Sequence, residues 1–245
     1  MKLTVIGSSS KGNAYLLEND QEALLIECGV RFFEIKKALN FKISKLAGCI
    51  ISHEHGDHCK GVVEAMNAGV SVYSSFKTHE AMKTDTHHRA KFLHRHIMQK
   101  IGGFEVIGYD VKHDAADPFC YLIRHADCGV VLFLTDTYYC EYNFKGLNHV
   151  IIEANYSEDI IDARMSGTDK AFLRDRVIQS HMSLDTCKKT LQAYDLSQVR
   201  NVVLIHLSDG NSNEDRVKRE IQEATGKLVH VADAGLTIDF NLQPY

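Results

Sequence analysis

The stretch Ile50-Ile51-Ser52-His53-Glu54-His55-Gly56-Asp57-His58 constrains this chain more than any other, because an apolar run stops there and potential metal ligands crowd in behind it. The segment Gly48-Cys49-Ile50-Ile51 is short, continuously apolar and without helical period, the pattern of a buried strand. The ligands then belong to the loop that leaves it. Imidazoles from His53, His55 and His58 with a carboxylate from Asp57 suit zinc, manganese or iron and give no soft-metal signature. A metalloprotease HExxH helix is excluded, since its second histidine would fall at Asp57, and Gly56 is expected to interrupt a helical turn. The plain alternative is a solvated loop rich in histidine, and the tight spacing argues against it.

A chain of 245 residues can bury a real core in one large domain or two small ones. Its hydrophobic share of 44% with two prolines marks it as globular, and a net charge of −4 without a basic tract advertises neither nucleic acid nor an anionic membrane. The cysteines number seven, an odd count with no CxxC pair, which suggests reduced thiols in the cytoplasm. The start Met1-Lys2-Leu3-Thr4-Val5-Ile6-Gly7-Ser8 turns polar too early for a signal peptide, and no apolar run approaches the roughly 20 residues that span a bilayer.

In chain order, strands are expected at Lys2 to Ile6, Ala14 to Glu18 and Ala23 to Glu27. The intervening turn Gly7-Ser8-Ser9-Ser10-Lys11-Gly12-Asn13 reads equally as a phosphate-binding loop or a plain hairpin connection. Phe32, Ile35 and Leu39 recur at helical spacing, and Val62, Val63 and Met66 suggest a second helix stopped by Gly69, before a strand over Val70 to Tyr73. From 75 to 100 the chain is locally basic and helical in part, either a solvated excursion or a lid or dimer element over the metal site. The strand pattern returns at Phe104 to Lys112, Phe119 to Arg124, Gly129 to Leu134, Val150 to Ile152 and Val202 to Ile205. Helices are expected at 170 to 179, behind Ser183 through Tyr194, and at Glu214 to Ala224 ahead of Gly226.

His53, His55, Asp57, His58, His113, Asp136, His181 and His206 each fall at or just past the end of an apolar segment, so a sheet could gather them at one edge. Ligand number allows two metals, with His53, His55 and His113 for one and Asp57, His58 and His206 for the other. Asp136 has two oxygens and can bridge them.

His53-x-His55-x-Asp57-His58, His113 ahead of Phe119-Cys120-Tyr121, Thr135-Asp136-Thr137, Ser180-His181-Met182-Ser183 and His206-Leu207-Ser208 together resemble the metallo-β-lactamase superfamily. Within it the chain is similar to the phosphodiesterase branch of ribonuclease Z, the phosphonate-pathway cyclic phosphodiesterase and the YycJ/WalJ hydrolases. Gly7-Ser8-Ser9-Ser10-Lys11-Gly12-Asn13 and Glu153-Ala154-Asn155-Tyr156 resemble the YycJ type, and the lack of a β-CASP insertion resembles the phage anti-Pycsar enzymes. Two departures are Glu27, where the family usually has aspartate, and His181 without its usual preceding glycine.

The resemblance implies an α/β four-layer αββα sandwich, a single hydrolase domain over 1–245 and a homodimer. It implies two divalent ions, Zn2+ or Mn2+, and hydrolysis of cyclic mononucleotides of the cCMP and cUMP type to 5′-monophosphates, as in viral counter-defence. The alternative is a YycJ/WalJ-like DNA exonuclease or a ribonuclease. Asp57 is expected to orient the nucleophile and His181 to protonate the leaving oxygen, with Ser8, Ser9 and Asn155 contacting substrate. A mononuclear iron oxygenase or a metal-binding interaction protein is a third class, and a second ligand group at Asp57-His58 counts against it.

Overall fold

The computed structural model describes residues 1–165 and 171–243. Two mixed sheets of seven strands form its centre. The first holds β1 (Lys2–Gly7), β2 (Ala14–Glu18), β3 (Ala23–Ile26), β4 (Leu46–Ile50), β5 (Val72–Ser74) and β6 (Ala90–Phe92) in sequence order. The second runs from β7 (Met98–Ile101) through β8 (Phe104–Asp110), β9 (Phe119–His125), β10 (Gly129–Leu134), β11 (His149–Glu153) and β12 (Asn201–Ile205) to β13 (Leu228–Val231). The last strand, β14 (Thr237–Asp239), crosses back to pair antiparallel with β1.

Alternation along the strands builds the layers. Leu24 and Ile26 of β3, Ile151 of β11 and Val203 and Ile205 of β12 point into one core between the sheets, with Tyr15, Tyr121 and Phe133 among its largest members. Their neighbours point outward. Leu25 and Cys49 meet α1 (Phe32–Ala38) and α3 (Val62–Asn67), while Val150, Ile152, Val202 and Leu204 meet α7 (Leu184–Ala193) and α8 (Glu214–Thr225). A strand covered on both faces is apolar along its middle, which is why Val150-Ile151-Ile152 of β11 and Val202-Val203-Leu204-Ile205 of β12 read as unbroken runs. The result is the αββα sandwich.

The helix ends follow their local chemistry. Ser183 accepts a hydrogen bond from Thr186 N at 3.1 Å and caps α7, and Gly226 closes α8 at φ 65°, a left-handed backbone that glycine adopts without a Cβ clash. Helix α5 (Glu158–Arg164) follows β11; the helix expected at 170 to 179 is α6 (Ala171–Ser180), and position 170 lies outside the described residues.

Elsewhere the structure departs from the sequence reading. Gly56 opens a helical turn, α2 (Gly56–Cys59), instead of preventing one. One turn needs little propensity when its caps are tied by tertiary hydrogen bonds, here Asn13 N to Asp57 O at 2.7 Å and Cys28 N to His58 O at 2.8 Å. Strand β3 stops at Ile26, because Glu27 adopts φ 62°. The basic 75 to 100 segment is helical in part, as α4 (Phe76–Ala81), and it also supplies the unexpected strands β6 and β7, which form one edge of each sheet. All seven cysteines are free. Among the described residues no helix is long and apolar enough to cross a membrane.

Candidate metal centre

Parallel pairing of β3 with β4 and of β10 with β11 and β12 sends the carboxyl ends of these strands to one rim of the sandwich, where side chains leave the sheets unpaired. His53 and His55 follow β4, Asp57 and His58 ride on α2, His113 follows β8, Asp136 follows β10 and His206 follows β12. The two sheets are stitched together beneath this rim. Phe119 N donates to Ser52 O at 3.0 Å, and the Tyr121 hydroxyl donates to Ile51 O at 2.6 Å.

The rim gathers ligand atoms into overlapping groups. His53, His55 and His113 form one, Asp57, His58 and His206 another, and Asp136 lies against both, within 4.8 Å in each set. Asp136 Oδ2 stands 3.3 Å from His58 Nε2 and 3.8 Å from both His53 Nε2 and His113 Nε2, while Oδ1 stands 3.1 Å from His206 Nδ1. His113 Nε2 faces His55 Nδ1 at 3.1 Å.

The donor set fits a divalent metal. His53 Nε2 and His206 Nε2 are buried without a hydrogen-bond partner among the described residues. His206 Nε2 nevertheless lies 3.3 Å from Asp57 Oδ2. Polar atoms at that distance but out of hydrogen-bond alignment are aimed at a common point, as ligands are. Ligands on arms of about 2.0–2.1 Å around a tetrahedral ion are separated by distances of this size.

Electrostatics prepares the two halves differently. Burial, aided by the neighbouring His58, holds His53 well below the ordinary imidazole range, and burial also lowers His113, so both present neutral nitrogen. Burial opposes charge on His58 and His206 as well, but the surrounding carboxylates together hold both well above that range, Asp136 with Glu27 and Asp57 at His58 and Asp136 with Asp57 and Glu153 at His206. Burial likewise penalises charge on Asp57, yet hydrogen bonds from His206 and His58 keep its carboxyl far below the usual carboxylate range.

His181 stands beside these groups at the end of α6, with a side chain 21% exposed where that of His58 is fully buried. Its Nδ1 lies 2.8 Å from Glu153 Oε1. Glu153 is the functional residue that sequence reasoning left out of the site. The same Oε1 lies 2.9 Å from His206 Nδ1, while Oε2 accepts from Met182 N at 3.0 Å and Thr137 N at 3.4 Å. One carboxylate therefore fixes two imidazoles. Its signal was legible, an acid ending the apolar strand Val150-Ile151-Ile152, the same strand-end position that drew attention to the histidines. Glu27 is a further buried acid beside the ligands, accepting from Ser52 N at 3.1 Å and standing 3.5 Å from His58 Nδ1.

The polar residues expected at the substrate are engaged in the scaffold. Ser8 Oγ accepts from the Tyr15 hydroxyl at 2.9 Å and from His206 N at 3.1 Å, and Ser9 Oγ accepts from Lys11 N at 3.2 Å. Asn155 Nδ2 donates to His206 O at 2.8 Å. The Gly7 to Asn13 turn thus braces the rim, with Asn13 Nδ2 also reaching Asp57 O at 3.3 Å.

Comparison with known proteins follows the same line. The model of the family described as Anti-Pycsar protein Apyc1 matches residues 1–83. The exodeoxyribonuclease WalJ of Streptococcus pneumoniae serotype 2 is 28% identical over 257 residues, covering 98% of this chain and 93% of the relative. The exodeoxyribonuclease YycJ of Bacillus anthracis is 25% identical over 241 residues, covering 91% and 88%. The metallo-β-lactamase fold protein YhfI from Bacillus subtilis superposes with a TM-score of 0.75 at 18% identity, covering 97% of this chain and 99% of that one. The chain therefore has the metallo-β-lactamase fold, carries at its rim a donor set that fits divalent metal, and is similar over nearly its whole length to exodeoxyribonucleases of the YycJ/WalJ type.

Proposed function

We propose that the chain hydrolyses nucleotide phosphodiesters at a dinuclear centre. His53, His55 and His113 would hold one divalent ion and Asp57, His58 and His206 the other, with the Asp136 carboxylate lying against both groups. The observation that carries this reading is Asp136, a single buried carboxylate within 3.8 Å of nitrogens from both groups. Two divalent ions held there would lower the pKa of water and offset charge at phosphorus. The protein supplies the rest. Asp57, with a side chain 23% exposed, reaches the opening and orients the attacking water. His181 is held through Nδ1 by Glu153, so its Nε2 is the atom left to give a proton to the departing ribose 3′-oxygen. The P–O3′ bond breaks, leaving a 5′-phosphate and a 3′-hydroxyl.

The substrate proposed first is a DNA strand, supported by similarity to exodeoxyribonucleases along almost the full length. Local basicity adds to it, with Lys77, Lys83, Arg89, Lys91, Arg95 and Lys100 opposed between 77 and 100 by Glu80 and Asp85 alone. Cyclic 3′,5′-mononucleotides are the second reading, supported by the family match over residues 1–83.

A hydrolysis panel decides between them. Metal-loaded protein is given single- and double-stranded DNA and RNA beside cCMP, cUMP, cAMP and cGMP, with EDTA and Asp136→Ala controls. Degradation of DNA, falling steeply with added salt and absent from both controls, is the expected outcome. Conversion of cyclic nucleotides with polymers intact would install the second reading, and activity unaffected by both controls would remove the metal mechanism.

A further inference from the structure

A cleft of about 1040 Å³ opens beside the metal centre on the His113 side. Lys112, His113 and Tyr138 line one part of it, and Phe172, Arg176 and Ile178 of α6 line another. It borders the reaction centre through His113, which lines the cleft and belongs to the first ligand group. His113 Nδ1 lies 2.8 Å from Ser180 O, the last residue of α6, and His181 comes next.

Two features define what this cleft accepts. Its aromatic walls are left in solvent, Tyr138 at 45% and Phe172 at 82% exposure, although burying such rings is normally favourable. Its charges cancel, Lys112 and Arg176 being set against Asp114 and Asp175 in the same lining, and Lys112 Nζ lies 3.4 Å from Glu141 as well. An anionic group gains little there. A flat, uncharged heteroaromatic ring gains two faces to stack on.

We propose that this cleft is a nucleobase subsite, in which Tyr138 and Phe172 stack the bases of a single strand whose terminal phosphodiester lies over the metal centre. This rests on the phosphodiesterase reading. The phosphate goes to the metals and the base to the rings. Stacking accepts any base, because every base offers a π-face, so the subsite selects an unpaired strand without selecting its sequence. The volume lies at the upper end for ligand clefts, which suits more than one nucleotide.

The test uses Tyr138→Ala, Phe172→Ala, the double variant and Phe172→Trp. Each is given a single-stranded DNA oligonucleotide and the same oligonucleotide with abasic residues at the positions flanking the cut. Wild-type protein is expected to prefer the base-bearing strand in kcat/KM. The double variant should lose about 10- to 100-fold of that preference, chiefly through KM, and Phe172→Trp should keep it. Binding is read independently, without metal, by quenching of a terminal 2-aminopurine, which the double variant should abolish. An unchanged preference together with unchanged quenching overturns the subsite. Turnover of cyclic mononucleotides alone, with strands uncut, overturns the assignment to a strand. A wild-type protein that cleaves no phosphodiester at all defeats the parent reading instead, and the quenching experiment still decides the cleft.

Discussion

At the residue scale, the site is assembled under backbone strain. Glu27, Asp136 and His206 all adopt positive φ, at 62°, 42° and 53°, and none is glycine. Each such residue costs on the order of 1–3 kcal/mol and persists only where its surroundings over-determine it. Here they do. His206 N is held by Ser8 Oγ, and Glu27 N donates to Ile50 O at 2.9 Å. The sharp turn aims each side chain back over the rim. His181 is different, because it lies outside both ligand groups assigned here and is held by Glu153. His181→Ala is therefore expected to retain the wild-type metal content while kcat falls about 100- to 10,000-fold. Metal analysis and turnover on the same preparation check this, and an unaltered kcat would remove His181 from the mechanism.

At the element scale, α2 is four residues long and cannot hold itself together, so the loops around it fix Asp57 and His58. Gly29 is the tightest of these contacts. A Cβ there would sit 1.6 Å from Asp57 O and 2.8 Å from Asn13 N, both main-chain atoms that have no rotamer to escape into. Gly29→Ala should destabilise the protein by about 1–3 kcal/mol and displace one ligand group while sparing the other. Denaturant unfolding should show the first, and metal titration should show the stoichiometry dropping from two to one. Two metals bound with wild-type affinity would mean that α2 tolerates the shift.

At the scale of the whole molecule, the rim with the metal centre is matched by an opposite rim built for closure. His149 opens β11 at the end remote from Glu153, fully buried and stacked on Phe240 with ring centroids 4.1 Å apart. Asn201 Nδ2 contacts its Nδ1 at 3.1 Å and also donates to Asp239 O at 2.7 Å, tying the chain end to the second sheet. Burial, with the charge of Arg200 behind it, pushes His149 down to about 4. The unfolded chain takes up a proton near the ordinary value of about 6.5 and the folded one does not, so stability is complete above that pH and falls as the pH drops from 6.5 towards 4. The loss attributable to His149 is on the order of 3 kcal/mol. His149→Gln keeps an acceptor for Asn201 and should flatten this part of the profile, measured as the difference in unfolding free energy between pH 7 and pH 4.5 for the two proteins. An equal drop in both would place the acid sensitivity elsewhere.

The sequence by itself determined most of the strands, though not the edge strands β6 and β7, together with the two-faced burial that makes the runs Val150 to Ile152 and Val202 to Ile205 apolar, and the cluster around His53 to His58. Periodicity and spacing are local properties, and they survive without coordinates. It also marked His113, Asp136, His181 and His206, because a polar residue ending an apolar run is visible in one dimension. Only the tertiary structure decided which ends meet. His149 and Glu153 bound the same strand, and both are polar residues beside an apolar run. Parallel pairing of β10, β11 and β12 sends Glu153 to the metal rim and His149 to the opposite one. Strand direction within a sheet is set by long-range pairing, which no window of sequence contains. The same holds for Gly56, whose helical turn exists because Asn13 and Cys28, far away in the chain, supply its hydrogen bonds.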